Sequence, residues 1–273
     1  MCANCQSRVG APGGFPFSRE RFTVDGLFRL SFTRWKENWA LFLLLFGGLI
    51  VAVYAVSLGG ELLLNVIAED NQPLQSPFHP VRIGFHIVNT ILQLLMQLLL
   101  LGACLDVLQG RKTDVQAAVV RLQQLPNALL QLLVIYAALA IELGLLYLLF
   151  VALGGFGAGW KPFAITAGTA FVTLPAIVYV WLGVTFAMLV LVHDPRANAF
   201  SALATSWRIA SHHRFEILGI CLLAGVVAML GVIACCVGVF VSLPIASLLY
   251  CSLYLALSND ARPVELQPGE TRL

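Results

Sequence analysis

Five polar side chains stand inside long apolar stretches of this 273-residue sequence, and they are the first residues that could do chemistry. Asn89, Gln93 and Gln97 recur every four residues, His86 lies one turn before them, and Glu142 stands well inside a separate apolar run. A step of four puts the first three on one face of a helix. Such groups are costly in hydrocarbon, so they mark a route for a substrate or ion, or a packed contact between helices. A carboxyl group at that depth is expected to turn away from lipid. Glu142 is therefore expected to meet Gln93 or Asn89, with His86 reached through water, as a static clasp or as a protonatable site on a transport route.

A second group suits metal. Cys2-Ala3-Asn4-Cys5 has the spacing of one half of a zinc ribbon. Completing four ligands would take a second chain, or His193, His212 and His213; otherwise the pair is a plain tail, and no other cofactor is indicated. Of the seven cysteines, Cys104, Cys221, Cys235 and Cys251 lie in apolar runs as small hydrophobes, so no disulfide framework is expected. Gly154-Gly155-Phe156-Gly157-Ala158-Gly159-Trp160-Lys161 lacks both the Gly-Lys step and the Ser or Thr of a phosphate-binding loop, and is read as an outer loop with an interfacial Trp. His193-Asp194 is the nearest approach to a catalytic pair. With no His, Asp and Glu cluster at catalytic spacing, a non-enzymatic protein is expected.

A third group suits a lipid surface. His212, His213 and Arg214, with Arg208 one helical stretch earlier, fall where a short amphipathic segment meets an apolar run, and Trp35 and Trp207 sit on two such segments. Basic and indole side chains at that position contact headgroups.

The elements that hold these groups follow from composition. The chain is 59% hydrophobic and 11% charged, with a mean hydropathy of +0.88, and cannot coat a soluble globule with polar side chains. Its net charge of +2 gives no reason to expect a nucleic-acid partner. Residues 1–38 hold no apolar run suited to a signal peptide, so the first span is expected to direct insertion. Six stretches can cross the bilayer as helices: 39–59, 83–105, 127–151, 164–192, 215–235 and 238–257. The last two are read as a tight hairpin turning at Cys235-Cys236-Val237-Gly238. Pro175 and Pro244 are expected to kink their spans. Ala224, Ala228, Gly231 and Cys235 form a small-residue face for close helix approach.

Fourteen of the sixteen Lys and Arg residues fall on one side of this topology, Arg82 and Lys161 being the exceptions. That asymmetry places both termini in the cytoplasm. The expected fold is an all-helical integral membrane protein: a tail at 1–22, a six-helix domain at 23–258, and a second tail at 259–273. Three cytoplasmic segments precede the odd-numbered spans, each an amphipathic interfacial helix. Phe28, Phe32, Trp35 and Trp39 make the stripe of the first; Val115, Ala118, Val119 and Leu122 of the second; Phe200, Leu203 and Trp207 of the third. Their caps are read as Thr23, Thr113 with Gln116, and Asp194 followed by Pro195. Three tandem units of interfacial helix plus hairpin would then repeat every 85 to 90 residues.

Residues 199–207, Ala-Phe-Ser-Ala-Leu-Ala-Thr-Ser-Trp, are followed by a basic stretch and an apolar run with Gly231, Cys235, Val237-Gly238, Pro244 and Tyr250. This part resembles the carboxyl-terminal half of a broad group of bacterial six-helix membrane proteins, among them the membrane domain fused to some glycerophosphoryl diester phosphodiesterases. The resemblance covers about 60 residues well, and implies a fold and the bacterial cell membrane rather than a reaction, since no phosphodiesterase domain is present. The function expected is binding of lipids or of membrane-protein partners, a second copy of the chain included; a small-molecule or lipid transporter with its route along span two is the alternative.

The charge asymmetry predicts a labelling pattern. Cysteines placed at Gln72 or Gly157 should react with an impermeant maleimide in intact cells, and those at Gln109, Asn198 or Asn259 should not. Outside labelling at Asn198 would overturn both orientation and repeat.

Overall fold

Lipid offers the peptide group no hydrogen-bond partner, so apolar segments of this length satisfy their backbones internally as helices. The computed structural model describes residues 15–17, 22–69, 80–111, 115–152, 160–211, 213–233 and 237–258. Every regular element among them is helical. In chain order they are α1 (Val24–Glu37), α2 (Trp39–Phe42), a π-helical turn (Leu43–Gly47), α3 (Gly48–Glu69), α4 (Pro80–Leu108), α5 (Val115–Leu122) and α6 (Leu125–Ala152). α7 (Trp160–Val184), α8 (Ala187–His193), α9 (Ala199–Ala210), α10 (Arg214–Ile233) and α11 (Val237–Ser258) follow. Six of these stretches are long and apolar enough to cross a membrane: Trp39–Leu62, Pro80–Leu108, Leu125–Leu145, Thr173–His193, Arg214–Ile233 and Gly238–Ser258. The protein is a polytopic, all-helical membrane protein.

The chain divides into two units, Met1–Leu125 with Gly219–Leu273, and Pro126–Leu218. In the first, Thr23 caps α1 as expected, its hydroxyl accepting from Gly26 N–H at 3.1 Å. Asn38 ends α1, its side chain donating to the Arg34 carbonyl at 3.0 Å. The aromatic stripe of α1 therefore stops at Trp35, and Trp39 opens the first span instead. The side of α1 that packs is the neighbouring one, Leu27 and Ser31, both fully buried. It lies against α11, where the Ser31 and Ser252 hydroxyls are 3.4 Å apart.

Within the same unit α3 and α4 approach so closely at Gly60 that any Cβ there would meet the Phe85 ring. The expected hairpin is formed by α10 and α11. Gly231 sits against Ser242, leaving no room for a side chain, and Pro244 lies inside α11. The corner at 234–236, with Cys235, lies outside the described residues, as does Thr113.

In the second unit the fourth span is interrupted. α7, with Pro175 inside it, ends at Val184, and α8 restarts at Ala187. The break frees backbone groups that a neighbouring hydroxyl takes up: Ser206 of α9 donates to Gly183 O at 2.8 Å and accepts from Phe186 N–H at 3.1 Å. α9 folds back along α7 and α8 on Ala199, Ala202, Ser206, Ile209 and Ala210, all buried. Phe200 and Trp207 of the expected stripe stay exposed on its other side.

The cap of α9 corrects the sequence reading. Asn198, not Asp194, starts this helix, in a reciprocal capping box with Ser201. Asp194 instead ends α8 in an extended conformation, and its carboxylate accepts from Arg196 N–H at 2.9 Å. A carboxylate committed two residues ahead cannot cap a helix five residues on.

Burial alternates along the chain. The apolar windows of the first, third and fifth spans are 17, 11 and 17% buried, against 56, 44 and 67% for the second, fourth and sixth. The C-terminal parts of the even spans are buried on every face: Gly102–Leu108 of α4, Leu189–Val192 of α8 and Cys251–Leu257 of α11.

Ser206→Ala would leave two buried backbone groups without this partner. We expect it to destabilise the protein by about 1–3 kcal/mol, read as a lowered unfolding midpoint in detergent, with Ser206→Thr losing less.

Candidate functional site

Three groups of polar side chains stand out, the first two involving short helices. The first joins α4 to α5. Arg121 Nη2 is 2.6 Å from Asp106 Oδ1, with side chains 13 and 7% exposed. Gly102, one turn before Asp106, makes room for the arginine: a Cβ there would lie 2.5 Å from Arg121 Cδ. The second carboxylate oxygen, Oδ2, is buried without a hydrogen-bond partner. Neither residue stands out in the sequence, because each reads as an ordinary charge beside a membrane boundary. Gly102 four residues before an acid was the available signal.

The second site is aromatic and cationic and lies within the Pro126–Leu218 unit. The Arg214 guanidinium carbon is 3.3 Å from the Tyr179 ring centroid and 4.7 Å from that of Trp207. These rings meet edge to face, 5.9 Å apart. Gly183 permits the arrangement, since any Cβ there would collide with Trp207. Trp207 and Arg214 thus come together as one group, joined by Tyr179, which sequence reasoning missed. Arg208 is exposed. His213 is engaged with Glu216, Nδ1 to Oε2 at 2.6 Å. On α1, Trp35 stacks on Phe32 with centroids 5.8 Å apart, and its indole N–H is buried without an acceptor. His212 lies outside the described residues, as do Cys2 and Cys5 and residues 153–159 of the glycine-rich loop.

The third site is the polar stripe of span two. Asn89 accepts from the Ser57 hydroxyl of α3 at 2.7 Å, while that hydroxyl also lies 2.8 Å from Val53 O. His86, Gln93 and Gln97 are exposed on α4. Glu142, half-buried on α6, belongs to the other unit. Gln131, deep on the same helix, is 4% exposed, and its side-chain oxygen has no hydrogen-bond partner. Among the described residues no three of His, Cys, Asp and Glu gather as a metal site.

Comparison with family models, with curated proteins and with solved structures finds no match in any of the three.

A buried pair of this kind is harmed more by the loss of one partner than by the loss of both. Asp106→Asn should cost about 3–5 kcal/mol by stranding Arg121, whereas the double change Asp106→Leu with Arg121→Met should recover most of it. Thermal unfolding of the purified variants checks both.

Proposed function

We propose that this is a non-enzymatic protein of the bacterial cell membrane, with both termini in the cytoplasm, that works by binding lipids or membrane-protein partners. One observation carries the reading: the short helices keep Phe32, Phe200 and Trp207 exposed, and Arg214, stacked on Trp207, has no carboxylate partner among the described residues. Aromatic and cationic side chains of this kind suit the headgroup region of a lipid surface.

The repeat belongs to the same proposal. Each short helix meets the C-terminal part of an even span through a polar contact: α5 on α4 by Arg121, α9 on α7 and α8 by Ser206, and α1 on α11 by Ser31. Two of the helices dock on the span just before them in sequence, and the first docks on the last. That order is what three tandem units, cyclically related, would produce. The proposed kinship with the six-helix bacterial group rests on this layout and on residues 199–250.

Exposure of Gln93 and Gln97 on span two favours a protein partner, a second copy of this chain included, because two amides cost too much facing lipid. The same exposure supports the alternative, a transporter whose substrate passes along the stripe, with Glu142 as its protonatable group.

Purification in mild detergent followed by native mass spectrometry tests the proposal. Retained phospholipid or a stoichiometric protein is expected. A bare chain with neither, together with saturable uptake of a solute into vesicles, would favour the transporter.

A further inference from the structure

Arg214 is neutralised differently from other arginines of the chain. Arg29 pairs with Asp25 at 2.9 Å, Arg34 with Glu37 at 3.0 Å and Arg121 with Asp106 at 2.6 Å. Arg214 has no carboxylate partner among the described residues, and the nearby Glu216 is held by His213. Its cation rests instead on the faces of Tyr179 and Trp207. Two rings at an interplanar angle of 79° make a floor and a wall that hold the guanidinium plane in place.

Stacking satisfies the face of a guanidinium but not its edge. One edge contact is present, a long one from Nη1 to Tyr179 O at 3.4 Å. Nε is buried with no acceptor at all. A guanidinium fixed by stacking, with no carboxylate partner, calls for an anion at its terminal nitrogens, a carboxylate or a phosphate.

Position decides between them. Arg214 is the first residue of the fifth stretch long and apolar enough to cross a membrane, Arg214–Ile233, which sets it at the end of a crossing. The anion present at such a boundary at high density is the lipid phosphate.

We propose that Arg214, stacked on Tyr179 and Trp207, binds the phosphate of a phospholipid headgroup. The proposal rests on the lipid-binding reading above and assigns it a ligand chemistry and a residue. Lysine cannot replace this arginine, because an ammonium carries the charge without the planar fork.

The test uses the full chain in detergent, titrated with phosphatidylglycerol, with diacylglycerol as its phosphate-free counterpart, and with inorganic phosphate. Bound lipid is counted by native mass spectrometry. Phosphatidylglycerol should bind and the other two should not. Arg214→Lys should weaken binding about tenfold or more despite the unchanged charge. Tyr179→Leu, which removes one ring and leaves the arginine, should weaken it too and stands in should Arg214→Lys fail to fold. Arg196→Gln, which removes an exposed charge elsewhere in the unit, should bind as the unaltered protein does.

Binding by Arg214→Lys within twofold of the unaltered protein would overturn the assignment while leaving the lipid reading intact. Equal binding of diacylglycerol would do the same. Equal binding of inorganic phosphate would make the site one for a soluble anion. An unaltered protein that retains no phospholipid would remove both this proposal and the lipid reading on which it rests.

Discussion

A polar group out of reach of water must find its partner in protein, and the ends of the even spans are arranged around that requirement. Each end carries a polar group that a short helix meets: Asp106 on α4, the interrupted backbone between α7 and α8, and Ser252 on α11, whose hydroxyl also donates to Leu249 O at 2.8 Å. In each case a short helix brings the matching group, and its apolar or small residues then fill the space around the contact. Leu27 beside Ser31 and Ala202 beside Ser206 are fully buried for this reason. The docking fixes which side of each short helix is left over. That side carries Phe32 on α1, and Phe200 and Trp207 on α9, so the outward aromatic surface follows from the inward polar contact.

The kind of contact tracks the surroundings. α4 has 29 residues where about 20 suffice to cross, and near its end the contact is an ion pair. α11 has 22 residues and little to spare, so Ser252 lies within the crossing, and there the contact is a neutral hydroxyl pair. Ser206 is again a hydroxyl, because what it meets is a carbonyl and an amide rather than a charge.

Much of this was legible in the sequence, for physical reasons that differ by residue. The six spans were, because a bilayer enforces length and composition. So was the α10–α11 hairpin, where some 43 apolar residues are too many for one crossing. Thr23 was legible because a cap acts over three residues. Asp194-Pro195 misled because it is a strong local signal for a helix start, while the weaker Asn198 and Ser201 do the capping. The interruption at Thr185–Phe186 carries no proline or paired glycines. It exists because Ser206, twenty residues on, makes it affordable, and such a dependence leaves no local mark. The same holds for Asp106 and Arg121, fifteen residues apart across a turn. Trp207 and Arg214 were placed at a boundary by type, but Tyr179 joined them through Gly183, whose missing side chain has meaning only in three dimensions.

The uneven burial of the six spans has its origin in the solvent. Between two helices in lipid there is no hydrophobic drive, since the tails are as apolar as the side chains they would replace. Close approach there depends on small residues, as at Gly60 against Phe85 and Gly231 against Ser242, and most of the remaining surface stays turned to lipid. Residues buried on every face appear at the C-terminal parts of the even spans, Gly102–Leu108, Leu189–Val192 and Cys251–Leu257, where the short helices pack. The short helices are the cover that makes such burial complete. A chain that kept its six apolar helices but lost α1, α5 and α9 would uncover these buried ends.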